Sequence, residues 1–471
     1  MSLSSAEQLL LELINRARLD PEGEAARYGI ALNAGLSPGQ LDGSARQVLA
    51  PDALLAAAAQ AHSEWMLATD VFSHTGRDGS SPGDRMADAG YVFGGAYTWG
   101  ENLAWSGTTG TIDLGAAIPS HHRGLFESPG HRENLLNGAF REIGVAQVRG
   151  DFTHEGTTYD SSMLTEKFAK SGSDIFLTGV AYDDRDGDDF YSIGEGESAA
   201  SFSVSGAGQA DTAPAGGYKL GMAAQSGWIE VSFAAAGGSG TVRLDMAGRN
   251  AKLDVVGGTH VESSADLELV GGVLSARLLG VADLSVTGTG ADERLEGNAG
   301  GNRIEAGAGA DTIEGGAGAD VFVFAPGDGA DLLTDFEDGT DLLDLTGFSR
   351  ADALGALAAA QSGSATLVFA DGTSITLQGL APDRITEADA LLAPAGDPPA
   401  GGGGSANAPP TGAVLVTGTA AQGATLTADA SGLADADGLG PLAYAWLRDG
   451  TPIAGATGAT YTLTQADVGA E

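Results

Sequence analysis

The chain has no cysteine, which excludes disulfides and every thiolate metal site without identifying a compartment. Basic residues are scarce, 23 Lys and Arg against 63 Asp and Glu, and no lysine follows Lys252. The net charge of -40 repels nucleic acid and anionic lipid and attracts cations. No stretch is long and apolar enough to span a bilayer. The N-terminus, MSLSSAEQLLLELINRARLD, lacks the basic and apolar regions of a signal peptide, which taken alone would suggest cytoplasm. What the chain has in abundance is glycine, 74 in 471 residues, a length that calls for three or four domains.

Many of those glycines fall in one internal repeat. From Gly288 to Val323 the chain reads GTGADERLEGNAGGNRIEAGAGADTIEGGAGADVFV, with a period of nine. The acidic or amide position falls at Glu293, Asn302, Asp311 and Asp320, and the apolar position at Leu295, Ile304, Ile313 and Phe322. Glycine permits turns with φ > 0, and the three residues after each Asp suffice only for a short strand. Two repeats make one coil, so residues eighteen apart stack: Asp311 over Glu293, Asp320 over Asn302, apolar residues inward. Carboxylates stacked this closely repel unless a hard cation lies between them, and oxygen-only ligation favours Ca²⁺. A flexible glycine linker would leave the inward apolar position unexplained. The series resembles the RTX (repeats-in-toxin) parallel β-roll of exported bacterial proteins, most closely in AGAGADTIE and GGAGADVFV. The resemblance implies type I secretion through a C-terminal signal, which removes the need for a leader.

Toward the N-terminus, Ser5 and Gln8 form a capping-box pattern, and Leu9, Leu10, Leu13, Ile14 and Ala17 recur at helical spacing up to Pro21. A second helix after Asp52 places Leu54, Leu55, Ala58, Ala59, His62, Trp65 and Met66 on one face. AQAHSEWM lies in this helix, and FSH, GENLAW and SPGHRENLL follow, with Gly144 of EIGV thirteen residues after His131. Together these resemble the CAP superfamily in a cysteine-free form, over about Ser5 to Lys170. The resemblance implies an α-β-α sandwich whose cleft has two histidines able to hold a divalent metal and two glutamates beside them. His74, Glu101 and His131 carry over by motif. Two neutral imidazoles with positions left for water suit Zn²⁺, and an adjacent carboxylate can orient a histidine or take a proton from bound water. Glu127 is the nearest candidate for the fourth member, although it stands one residue from the family's position and Leu125 replaces the family's tryptophan. His62 reads as a core histidine, Glu101 could equally cap a loop, and the adjacent His121 and His122 are expected as a solvated pair.

Near Ser173 the pattern turns to alternation. DIFLTGVAYDDRDGDDFYSIGEGE sets Asp184, Asp186, Asp188 and Glu195 at positions one, three, five and twelve of a calcium loop, with the backbone of Phe190 at seven. Asp189 stands where an EF-hand has glycine, and a strand precedes the loop instead of a helix. ASFSVSG, GGYKLGM, GWIEVSFAA, TVRLDMA and KLDVVGG read as short strands of a sandwich similar to carboxypeptidase-regulatory-like domains. After the repeats, Asp331, Asp335 and Asp341 are interleaved with Leu and Phe in a segment resembling the acidic close of RTX rolls, and ATLVFADGTSITLQGL is expected to cover the open end. A Pro/Gly linker leads to a segment resembling a bacterial immunoglobulin-like repeat, with Trp446 as its core tryptophan; Asp435 and Asp437 read as a polar turn. That repeat stops before its last strands, so the chain reads as a fragment of a longer protein.

The expected organisation is multidomain: an α-β-α sandwich over 5–172, a β-sandwich with an EF-like calcium loop over 173–262, a parallel β-roll and its cap over 263–392, a linker over 393–410 and a partial Ig-like β-sandwich over 411–471. Three functions fit it. The first is a secreted calcium-binding protein with a CAP effector domain that meets an extracellular protein, lipid or glycan. The second is a metal-dependent hydrolase, peptidase-like, with His74 and His131 on Zn²⁺ and Glu101 as base; no HExxH, Ser-His-Asp or phosphate-loop signature supports it. The third is a cell-surface adhesin with an idle cleft.

Overall fold

In the computed structural model the first helix, α1 (Ser5–Leu19), is capped one residue earlier than the sequence pattern suggests. Ser4 Oγ accepts from Glu7 N at 3.3 Å while the Glu7 carboxylate accepts from Ser4 N at 2.8 Å. An ionised Glu at this position also complements the positive end of the helix, which neutral Gln8 would not. Gln8 instead turns inward and donates to Glu12 at 2.7 Å. The structure describes residues 2–225, 227–361 and 365–394 and the stretches 415–418, 421–430, 446–448, 451–453 and 458–467.

The N-terminal region continues with α2 (Pro21–Arg27), β1 (Ala50–Pro51), α3 (Ala53–Thr69), α4 (Pro82–Asp88), β2 (Thr98–Thr108), α5 (Leu114–Glu127), α6 (Pro129–Leu135), β3 (Glu142–His154) and β4 (Thr157–Lys170). The sheet order is β1-β3-β4-β2, which leaves β2 at an edge. On one face α1, α5 and α6 bury Leu10, Ile14, Ile118, Phe126 and Leu135 against Ile143, Leu164 and Phe168. On the other, α3 and α4 bury Leu55, Ala58 and Met86. This is the α-β-α layering expected. Gly144 lies where β3 crosses α3, and a Cβ there would sit 2.1 Å from Ala56 N.

The chain from Ile175 to Leu391 folds as two facing ten-stranded sheets. The expected boundary near residue 262 falls inside them. At one end the strands are mostly antiparallel, as in Trp228–Ala235 against Gly238–Asp245. From His260–Ser263 with Ser275–Leu278, and Leu267–Gly271 with Ser285–Thr287, pairing along both sheets turns parallel. The antiparallel strands offer open edges, and the first strands of the roll pair with them directly. One apolar core runs through the whole prism, from Ile175 to Ile385. Leu295 pairs with Ile313 and Ile304 with Phe322, so repeats eighteen apart do stack. Strands Thr366–Val368, Ser374–Leu377 and Ala390–Leu391 close the far end. A helix there that the sequence reading missed, Arg350–Gln361, buries Ala353, Ala356, Leu357 and Ala360.

The CAP-like region is joined to the antiparallel end by buried polar contacts. Asn250 donates to Val48 O at 2.9 Å and Arg141 O at 2.7 Å, and accepts from Phe176 N. Lys252 pairs with Glu12 at 2.9 Å and also with Asp254. Residues 401–471 form a separate unit. Its described strands are Leu415–Thr417, Thr425–Asp429 and Thr460–Thr462 in one antiparallel sheet, and Leu447–Arg448 with Thr451–Pro452 in a pair. Trp446 Nε1 donates to Gly458 O at 2.9 Å. Asp435, Asp437 and nearly all of the linker lie outside the described residues.

Gly144→Ala should therefore destabilise the CAP-like region by about 2 kcal/mol or more, because the added methyl meets backbone that cannot move aside. Urea unfolding followed by tryptophan fluorescence checks this; an unchanged midpoint would contradict it.

Candidate metal and ligand sites

The cleft forms around Glu101 on the edge strand β2. Its carboxylate accepts from His74 Nδ1 at 2.8 Å and Arg85 at 2.8 Å, and is paired with Lys167 on β4. Burial alone would raise Glu101, but the hydrogen bond from His74 and the charges of Lys167 and Arg85 bring it down to about 2. Burial lowers Lys167 to about 8, although Glu101 opposes the change. Glu101 thus stays ionised and fully engaged, an orienting group more than a proton acceptor. His74 is half exposed, and its Nε2 has no protein partner among the described residues.

His131 on α6 is anchored in the same way, with Nδ1 2.8 Å from Ser128 Oγ. Burial, then the nearby His74, hold its imidazole below the ordinary range. Asn102, next to Glu101, points to the opposite face of the sheet and donates to His131 O at 3.2 Å and Glu166 at 3.0 Å. The structure therefore brings His74, Glu101 and His131 to one edge of the sheet, each ring fixed through Nδ1. The donor set fits a divalent metal in its chemistry: two imidazoles with Nε2 free, one backed by a carboxylate.

Glu127 does not join them. It ends α5 and turns back to Arg123 one turn earlier, at 2.8 Å, in a pair largely exposed to solvent. His62 is buried, bonded to Ser73 O at 2.9 Å, and lowered to about 4 by burial, as a core histidine should be. His121 and His122 are corrected: both are buried. His121 Nε2 meets Ser162 Oγ at 2.9 Å and His122 Nε2 meets Glu24 at 2.9 Å. With Ile118 and Leu125 they fall at the i, i+3, i+4, i+7 positions that face the core. Arg85, Lys167 and Glu166 had no sequence motif; strand pairing of Glu101 with Lys167 and of Asn102 with Glu166 exposes the latter two, and α4 supplies Arg85.

In the acidic loop, Asp184, Asp186 and Asp188 each offer an oxygen within 4.8 Å of the others. Asp189 takes the left-handed conformation, φ 58°, that position six demands. Glu195 is buried and accepts from Arg185 N at 2.9 Å and Ser192 N at 2.8 Å. The loop is wedged between the two bodies. The Phe190 ring lies under the Arg16 guanidinium of α1 at 4.9 Å, and Arg277 of the prism donates to Asp189 O at 2.9 Å.

Along the roll, Asp311 Oδ1 accepts from Glu293 N at 2.8 Å and Asp320 Oδ1 from Asn302 N at 2.7 Å. Each aspartate thereby caps the coil eighteen residues behind it. The second oxygens, Asp311 Oδ2 and Asp320 Oδ2, are buried without a partner. Burial, and then neighbouring carboxylates, push Asp311 up to about 6 and Asp320 to about 7. A Cβ at Gly307 or Gly309 would stand 2.2 or 2.3 Å from a carbonyl oxygen of the preceding coil. The orphaned oxygens fit a calcium ion: a dehydrated, oxygen-only, anionic environment without its counter-charge.

Two family models match these regions. Residues 11–157 match the CAP, cysteine-rich secretory protein, family, and residues 287–322 match the RTX calcium-binding nonapeptide repeat in four copies. A search of curated proteins finds no match. Among solved structures, the chain is similar to an extracellular protein containing an SCP domain from Bacillus anthracis strain Ames, at 28% identity over 27% of this chain and 35% of that one, with a TM-score of 0.20. It is also similar to an outer surface protein from Borrelia burgdorferi, at 17% identity over 36% of this chain and 97% of that one, with a TM-score of 0.24.

Two outcomes follow. Glu101→Gln leaves Lys167 buried beside a neutral amide and should cost about 3 kcal/mol or more of unfolding free energy by urea titration. For the aspartates, the folded pKa values of about 6 and 7 exceed those of the unfolded chain, so the calcium-free roll binds extra protons when folded. Their contribution to stability is present at about pH 4 and lost as pH rises through about 7. Circular dichroism in chelator should accordingly show more folded roll at pH 5 than at pH 8; the reverse order would contradict the assignment.

Proposed function

We propose, for a chain that carries a CAP domain and RTX calcium-binding repeats, that it is a secreted protein whose prism is folded and stiffened by calcium and whose CAP cleft is the working end. The observation that carries this reading is the buried aspartate oxygens of the roll that have no hydrogen-bond partner. In the low calcium of the cytosol those carboxylates repel one another and oppose folding. Outside the cell calcium binds them, and the binding energy becomes folding energy. Export by the type I route and an extracellular or cell-surface location belong to this reading. So does a further calcium in the loop, held by Asp184, Asp186 and Asp188 with the Phe190 carbonyl and Glu195. There it would fix the wedge between the CAP domain and the prism. The cleft meets an extracellular protein, lipid or glycan.

The test is circular dichroism of the whole chain in chelator and in millimolar calcium. A large gain of β signal on adding calcium is expected. Identical spectra would overturn the coupling.

A second reading is a metal-dependent hydrolase, favoured by the two histidines fixed through Nδ1 with Nε2 free. Zn²⁺ held by His74 and His131 would supply Lewis-acid chemistry in the cleft. Glu101 would orient His74 and fix its tautomer, while Arg85 and Lys167 keep that carboxylate ionised. Asn102 would position α6 through the His131 carbonyl. Calorimetric titration of Zn²⁺ into the calcium-saturated chain should show one site that disappears in His131→Ala. Heats that match in the two proteins would leave the histidines as scaffold.

A further inference from the structure

The two edges of the sheet in the CAP-like region are unlike each other. β1 ends one of them with two residues, and no other edge strand among the described residues exceeds six. β2 ends the second edge with eleven, paired to β4 without a bulge from Thr98 opposite Lys170 to Thr108 opposite Asp160. The strand holds no lysine, arginine or proline, and its one charged residue, Glu101, is buried. Folded proteins blunt an exposed edge by keeping it short, by a bulge, or by placing lysine or proline on it. β2 uses none of these.

The ladder sets which way its backbone groups point. Ala169 O accepts from Arg141 N at 3.0 Å, so Ala169 faces the β3 side of β4. Alternation then turns Phe168, Glu166, Leu164 and Ser162 toward β2, where they meet Gly100, Asn102, Ala104 and Ser106. The N–H and C=O groups of Glu101, Leu103, Trp105 and Gly107 therefore point away from the sheet. At Glu101 the edge is closed by α6, whose Asn134 Nδ2 donates to Glu101 O at 3.2 Å. At Leu103, Trp105 and Gly107 no described residue bonds the outward N–H or C=O. Residues 104–106 are half-buried and Gly107 is exposed, so a partner can reach this stretch. Beside it the Trp105 ring packs with Phe152 at 4.9 Å and lies 6.1 Å from Tyr159. Unpaired main-chain groups in a straight row are a template for another strand.

We propose that the edge of β2 from Leu103 to Gly107 is a docking site for an extended, basic peptide segment, which adds to the four-stranded sheet as a fifth strand. Main-chain hydrogen bonds to the open rungs hold it, and its alternate side chains meet the two faces of the sheet. The net charge of -40 selects a basic segment and repels a second copy of the same chain. A lysine or arginine opposite Trp105 lies beside ring faces that favour a cation. Asn134 stops the added strand at Glu101, so its end is delivered beside His74, which Glu101 holds. The site rests on the reading that the CAP-like region is the working end, and it requires neither calcium in the roll nor a metal in the cleft.

The test mixes the full, calcium-saturated chain with a fluorescein-labelled decapeptide of alternating Lys and Val, and with the same peptide N-methylated throughout. Expected are binding by fluorescence anisotropy, slowed hydrogen-deuterium exchange at residues 103–107, and affinity at least tenfold lower for the methylated peptide. That peptide keeps its charge, so equal affinities mean attraction by charge alone and overturn the site. Trp105→Pro removes an outward N–H and leaves the ladder to β4 intact. It should bind at least tenfold more weakly than Trp105→Val, which loses the same ring and keeps the N–H; matching affinities overturn the site. Exchange in the wild-type chain decides without either variant. No binding, or binding without protection at 103–107, overturns this site alone. Protection at Gly208–Asp211 in its place overturns the site together with the reading of the CAP-like region as the working end. Protection of 103–107 in the concentrated chain without peptide gives the edge to a second copy and overturns the basic peptide as its occupant.

Discussion

From Asp311 onward the coils of the roll are tied to the one before by an aspartate carboxylate that accepts a backbone amide, as Asp311 does from Glu293 and Asp320 from Asn302. The bond fixes register, because only one position per repeat presents both the acid and the amide. It also leaves the second oxygens of Asp311, Asp320 and Asp331 buried and unpaired. A structure held in this way accumulates negative charge along its length, which the scarcity of lysine and arginine leaves uncompensated. The acidity of the chain and its order are thus two sides of one device, and the glycines at 307, 309, 316 and 318 are what let the coils approach closely enough for it to operate.

The CAP domain does not hang from this device by a tether. It meets the antiparallel end through Asn250, Lys252 and the loop around Phe190, all of them engaged by groups on both sides. Antiparallel neighbours are joined by short connections and close few residues of loop, whereas parallel coils are ordered only when stacked on something already formed. The end that meets the CAP-like region presents the edges on which the first coil pairs.

Much of this was legible in the sequence where a period repeats or a motif is local. The nine-residue spacing yields the stacking of Leu295 on Ile313, and FSH with GENLAW yields the contact of His74 with Glu101. Legibility failed where a neighbour comes from far along the chain. Lys167 reaches Glu101 only because β2 and β4 pair, and nothing near Lys167 announces that role. His121 and His122 looked exposed because adjacent residues point apart on a strand; on a helix both can border the core when it is deeply covered. The helix at 350–361 was passed over because its alanines carry a weak apolar contrast, and the single core through both halves was hidden because sheet continuity leaves no mark on composition.

Alternate repeats belong to opposite sheets, since strand 294–296 pairs with 312–314 while 303–305 pairs with 321–323. The arrangement therefore has a parity. Inserting eighteen residues lengthens the prism by one strand spacing, about 4.8 Å, and returns every later side chain to its own face. Inserting nine exchanges the faces of everything downstream, so that the closing helix and the strands at 374–377 and 390–391 would meet the wrong edges. Length in such a molecule can change only in whole coils, and the two ends keep their relation to each other by counting in pairs.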